Sequence, residues 1–228
     1  METKSRELIL SLLAEKASMK QAVMENCRDG FITISNALKS LADDLRPRIS
    51  KINKSLLVEF SVKGDSEVEF SLAGDTILFL MHNNVFTFDQ SHEIWKTSYL
   101  KDDPTKAFCG TIYIYNFLSD SIKFLNENDT GYLIARLFIN KEGHFFVEGK
   151  RQLGFLYNDF QNEVFNADQA QKVVESAILY CLDFDPFTPP YEQVGVVSVQ
   201  QVLESTLRSK IATGKRLGFK FQADSDLF

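Results

Sequence analysis

Tyr132-Leu-Ile-Ala-Arg-Leu-Phe-Ile-Asn140, Lys141-Glu142-Gly143 and His144-Phe-Phe-Val-Glu148 follow one another without interruption. The two flanks are rich in β-branched and aromatic residues and alternate in character, as paired strands do. The three residues between them have Asn at the start and Gly at the end. That chemistry fits a type I turn closed by a left-handed glycine in a bulge. The register that follows sets Asn140 against His144, Phe138 against Phe146 and Arg136 against Glu148. One face then carries Leu133, Ala135, Leu137, Ile139, Phe145 and Val147 and reads as core. The opposite face mixes Tyr132, Ile134, Phe138 and Phe146 with Arg136, His144 and Glu148. A face both aromatic and charged is either covered by helices with a salt bridge at its rim, or it is a binding surface.

Working upstream, period-two alternation recurs through Leu56, Val58, Phe60 and Val62 and again through Val68, Phe70 and Leu72, with Lys63-Gly64-Asp65 as the turn. Ala73-Gly74-Asp75 leads into a third strand ending near His82. Asn83-Asn84 tolerates positive φ and reads as a two-residue hairpin turn into Val85–Phe88. A long polar loop, 89–106, carries Trp95, and Phe108–Phe117 is aromatic and β-branched throughout. Ser121–Leu125 is a further strand candidate. The expectation is an antiparallel sheet of about seven strands.

Further upstream the period changes. Leu10, Leu13, Ala17, Lys20, Met24, Cys27, Phe31, Ile34, Leu38, Leu41 and Leu45 recur in alternating steps of three and four, with Lys20 as the one polar member. This is a helical packing seam. Leu8, Leu12 and Met19 lie off it, so the first third of the segment is apolar over much of its circumference. An unbroken helix from Lys4 to Leu45 would span about 60 Å at ~1.5 Å per residue, more than the ~45 Å width of a compact body of this size. Either it projects as an oligomerisation arm, or it breaks, with Arg28-Asp29-Gly30 the natural break. The break or kink is the expectation taken here, and Pro47 is expected to stop the helix. Leu10, Leu13, Met24, Phe31 and Leu38 are the candidate partner-binding residues. The alternative is that both pieces roof the chain's own sheet.

Downstream, Asn166-Ala-Asp-Gln169 is a helix-capping signature, followed by Ala170, Val173, Val174, Ala177, Ile178 and Cys181 at helical spacing. Ser198-Val-Gln-Gln201 caps a second helix with Gly214 as its stop, and 216–222 is a candidate strand. The chain ends in an acidic stretch with Leu227 and Phe228, a candidate docking peptide. Gln222 ahead of a terminal Leu-Phe pair resembles the peptides by which bacterial replication and repair proteins bind the sliding clamp. The spacing here is longer than their usual five-residue form. The whole is an α+β chain: a long N-terminal amphipathic helix or helix pair, an antiparallel sheet and two C-terminal helices. Residues 1–47 form an oligomerisation or packing segment. Residues 54–228 form the α+β domain, with the sheet in 54–160 and the helical part in 161–228.

Of the 228 residues, 44% are hydrophobic, and 20 are Phe, which excludes disorder by composition. Three widely spaced cysteines inside apolar patterns argue against a disulfide framework. With no apolar run long enough for a membrane span and no signal-peptide pattern, a cytoplasmic protein is expected. The net charge of −6 conceals basic stretches at 46–54 (Arg46, Arg48, Lys51, Lys54) and 208–220.

Scattered histidines (His82, His92, His144) and the lack of paired Cys or His spacing point to no metal. No Gly-rich phosphate loop and no nucleophile elbow suggest a cofactor or catalytic residue. Lys150 and Arg151, held between Gly149 and Gly154, could present donors to a phosphate or carboxylate. The candidate ligand residues are therefore Arg136, His144, Glu148, Lys150 and Arg151. The leading expectation is a non-enzymatic binding or assembly protein that associates with itself or another protein through the N-terminal helices. The second is an anion or nucleic-acid binder using 46–54, 150–151 and 208–220. The third is an enzyme with its site on the mixed sheet face.

Overall fold

The computed structural model describes residues 2–125 and 129–184, with isolated positions 192, 195, 196, 198–200 and 203. Helix α1 (Glu2–Leu12) runs through a π-helical turn, Leu13–Ala17, directly into α2 (Ser18–Ile52). From Glu2 to Ile52 this continuous rod is about 75 Å long at ~1.5 Å per residue. The expected break at Gly30 does not occur. Gly30 is buried against the sheet, and a Cβ there would lie 2.4 Å from Ile139 Cδ1, so its role is close approach to the sheet rather than helix termination. Pro47 does not stop the helix either. It lies inside α2 on an exposed turn, where water can satisfy the carbonyl that the missing N–H leaves free. The helix ends at Ile52, and the Asn53 N–H donates to the Ile49 carbonyl 2.8 Å away.

Among the described residues six strands follow in simple meander order: β1 (Val58–Gly64), β2 (Glu67–Leu72), β3 (Asp75–Met81), β4 (Cys109–Leu118), β5 (Tyr132–Asn140) and β6 (Phe145–Gly149), all neighbours antiparallel. The count differs from the expected seven in two places. Asn83-Asn84 does not reverse the chain: His82 N–H donates to Thr111 O and Phe86 pairs with Cys109, so the segment continues along β4 with one isolated bridge. His82 Nδ1 accepts the Asn84 N–H and holds this detour in place. Ser119–Lys123, between β4 and β5, is a single helical turn rather than a strand, and Ser121 bonds to Asp129.

One face of the sheet is roofed by α2 and by a C-terminal helix, Ala167–Leu182, whose N-cap Asn166 accepts the Gln169 N–H at 3.0 Å as its sequence implies. Cys27, Phe31, Ile34, Leu38 and Ala42 from α2 meet Phe70, Phe79, Ile112, Ile114, Leu137 and Phe145 from the sheet. Gly110 lets α2 settle on β4: a Cβ there would fall 2.4 Å from Cys27 Cβ. The opposite face of the last hairpin is covered by the segment after β3, through the short helix Ser98–Asp102 and two 3₁₀ turns. Ile94, Tyr99, Leu100 and Ala107 there form a second core with Phe138, Phe146 and Phe160. The sheet is thus a filling between helical layers over its β4–β6 half. The free edge of β6 is taken up by 157–165, through bonds such as Val147 N–H to Tyr157 O.

The hairpin register is as expected, with Arg136 opposite Glu148, Phe138 opposite Phe146, and Gly143 at φ +76°. Its faces differ at one end. A bulge leaves Ile134 without a β4 partner between the Ala135–Ile114 and Leu133–Tyr115 pairs. Ile134 therefore turns into the main core at 2% exposure, while Leu133, expected inside, is 39% exposed. Among the described residues no helix is long and apolar enough to cross a membrane. Residues 204–228, and with them most of the expected second helix, the 216–222 strand and the tail bearing Leu227 and Phe228, lie outside the described residues.

Candidate functional site

The seam read along the N-terminal helix divides near Lys20. From Val23 onward its members face the sheet: Cys27, Phe31, Ile34 and Leu38 are buried and Met24 is half-buried. Phe31 and Leu38, expected to bind a partner, instead fill the chain's own core. Met24 also lies on this sheet-covering stretch, although it is only half-buried. Upstream the burial disappears. Residues 4–18 are all exposed, and Leu8, Ile9, Leu10, Leu12 and Leu13 stand 52–65% open. Leu10 and Leu13 thus head a helical arm with no covering from the described body. The π turn adds a residue to one helical turn and so rotates the arm's apolar stripe away from the core-facing stripe of α2.

The five expected ligand residues fall in three places. Arg136 and Glu148 form a charge-assisted hydrogen bond across the strands, and the guanidinium lies 5.5 Å over the Phe138 ring. The other Glu148 oxygen receives His92 Nε2 at 3.1 Å. His92 Nδ1 accepts the Ile94 N–H, which places the ring proton on Nε2. His92, a cap of the covering segment, was missed because nothing local in the sequence ties residue 92 to residue 148. His92 and Glu148 line a cleft of about 350 Å³ together with Thr97 and Phe146, and Arg136 is not part of its lining.

His144 does not join them. It lies at the Asn140 end of the hairpin, four residues along β5 from Arg136, or about 13 Å at ~3.3 Å per residue. There it stacks on Tyr99 with ring centres 5.0 Å apart, and Nδ1 bonds to Phe160 O. The Tyr99 hydroxyl donates to Glu142 at 2.7 Å and accepts from Asn140 at 2.9 Å. Burial, then the bond to Glu142, pushes the phenol well above its ordinary range. This network ties turn to cover.

Lys150 and Arg151 lie where the chain leaves β6 for the helical layer. Arg151, at φ +47°, pairs with Asp183 and sits 5.6 Å over Tyr180. The 46–54 cations are at the β1 edge, where Arg46 donates to Val58 O and Arg48 pairs with Asp44 at 2.7 Å. Edge strands five spacings apart put these two clusters about 24 Å from each other, and the acids nearby answer much of their charge. The 208–220 segment lies outside the described residues.

All three cysteines are buried. Burial pushes the Cys27 and Cys181 thiols up to about 12, and Cys109 further, with Cys27 beside it adding to the effect. They are apolar filling in this fold. Among the described residues no group of three or more His, Cys, Asp and Glu is placed to hold a metal ion.

Fold and surface together define an α+β protein in which a helical rod crosses one face of an antiparallel meander and extends beyond it as an apolar arm. No protein-family model, curated protein or solved structure matches the chain.

Proposed function

We propose that this chain is a non-enzymatic binding or assembly protein that associates with itself through the N-terminal arm, with the sheet domain as scaffold. The observation carrying the reading is the set Leu8, Ile9, Leu10, Leu12 and Leu13, each more than half exposed on a helix that outruns its domain. Fully burying such a side chain is worth ~1.5–3 kcal/mol. An arm of fewer than twenty residues is also marginal as an isolated helix in water. Packing copies of the arm together would serve both needs, and the breadth of the apolar surface suits a bundle better than a two-stranded coil. Ion pairs and caps already engage the polar groups of the mixed sheet face, which weighs against a site there.

Light scattering on the full chain and on the double substitution Leu10→Glu, Leu13→Glu tests this. The full chain is expected to be at least dimeric at micromolar concentration. The variant, altered only at exposed positions, is expected to be monomeric with its sheet intact by circular dichroism. A monomeric full chain would defeat the proposal.

A further inference from the structure

At the end of the sheet remote from the Gly143 turn, a cavity of about 320 Å³ opens between the ends of β3, β4 and β5 and Phe184, two residues past the end of the C-terminal helix. Its polar lining is one-sided. Asp75 and Asp129 supply two carboxylates, Asn116 and Ser121 supply uncharged polar groups, and among the described residues no lysine or arginine lines it. Tyr132 and Phe184, with ring centres 5.6 Å apart, form an aromatic side. Asn116 is 5% exposed. Its amide nitrogen donates to Asp75 at 3.1 Å, but its Oδ1 is buried with no hydrogen-bond partner among the described residues. A buried carbonyl left unpaired is destabilising because its lost hydration is not replaced, so this atom is an acceptor in want of a donor. Ser121 Oγ donates to Asp129 Oδ2 at 2.7 Å, which fixes one carboxylate at the mouth.

We propose that this cavity binds the primary ammonium group of a small aliphatic amine. An ammonium has three donors and no acceptor. The site offers Asn116 Oδ1, Asp75 and Asp129 as acceptors, and aromatic faces that attract a cation. The C-terminal helix ends beside it with no basic residue in its last turn, so the negative end of its dipole adds to the same preference. Two carboxylates are too few for a dedicated divalent-cation cage, and the aromatic side suits an organic cation over a hydrated metal. The volume is at the small end of ligand pockets, which sets the size of the amine.

The test uses n-butylammonium chloride on the full-length protein, followed by NMR of backbone and side-chain amides, with tetramethylammonium and calcium chloride as separate arms. Saturable shifts of the Asn116 side-chain amide and of the Tyr132 backbone are expected with n-butylammonium, and weaker ones with tetramethylammonium, which has no N–H to give. Asp129→Asn, at an exposed position, should weaken binding about tenfold or more. Tyr132→Ala, also exposed, should weaken it while the spectrum stays folded. Absence of saturable shifts at this cavity, shifts confined to other surfaces, a response to calcium alone, or unchanged binding in both variants would each overturn the proposal.

Discussion

Gly143 has φ +76°, and a Cβ there would lie 3.5 Å from Val164 Cγ1, an ordinary contact. Space is therefore not the obstacle to a side chain; backbone conformation is. Gly143→Val should cost on the order of 1–2 kcal/mol because a β-branched residue resists the left-handed region. A thermal midpoint equal to that of the parent would show that the turn is not held in this conformation. The turn was legible because its determinants, Asn140 and Gly143, are neighbours in sequence. Asn140 Oδ1 accepts the N–H groups of both Glu142 and His144, a wholly local device. Ile134 shows the opposite case. Its inward turn depends on how β5 meets β4, a register that alternation within β5 alone does not encode.

Between elements, glycines were the most misleading letters. Gly30 looks like a helix terminator, yet its helix continues because contact with β5 requires a residue without a side chain there. The two close approaches should respond differently to alanine. At Gly30 the obstructing atom is the tip of Ile139, which can swing away, and the helix gains ~1 kcal/mol in intrinsic propensity. At Gly110 the obstruction is Cys27 Cβ and Sγ at 2.4 and 2.6 Å, next to the α2 backbone itself. Gly110→Ala should therefore destabilise by about 1–3 kcal/mol, and Gly30→Ala by clearly less. Denaturant midpoints of the two variants in the reverse order would contradict this account of how α2 sits.

The covering segment gives a second test at the same scale. Asp103 accepts from Lys141 at 2.6 Å and from Thr105, and these bonds hold its carboxyl down to about 2 from its ordinary 3.8. A lowered folded-state pKa means the contribution is complete above the unfolded value and is lost as pH falls through the folded one. The gap in thermal midpoint between parent and Asp103→Asn should therefore be constant from neutral pH to about 4 and narrow toward 2. A gap that stays constant down to pH 2 would mean the carboxylate does not link the cover to the hairpin turn. The sequence marked 89–106 as one polar loop, since its apolar residues Ile94, Tyr99 and Leu100 have no single period. Only the aromatic face presented by Phe138 and Phe146 gathers them into a core.

For the molecule as a whole, the proposed function rests on how the first helix divides between two environments. Its seam was legible as a helix, but the sequence could not say where packing on the sheet stops, because the seam runs past Lys20 with little change of pattern. The end of the sheet decides that. If the arm is the site of association, the contact is apolar and should respond to conditions as apolar contacts do. Salt screens exposed charges over about 10 Å at 0.1 M but leaves buried apolar area nearly unaffected. Sedimentation profiles at low and at molar salt should therefore show the same oligomer, and only dilution should dissociate it. Dilution should also lower the helical circular dichroism signal, because a freed arm loses the packing that sustains its helix. An assembly that falls apart with salt at fixed protein concentration would instead place the contact on the charged surfaces near Arg46–Lys54 or Lys150–Arg151. In that case the apolar arm would have to serve some other partner.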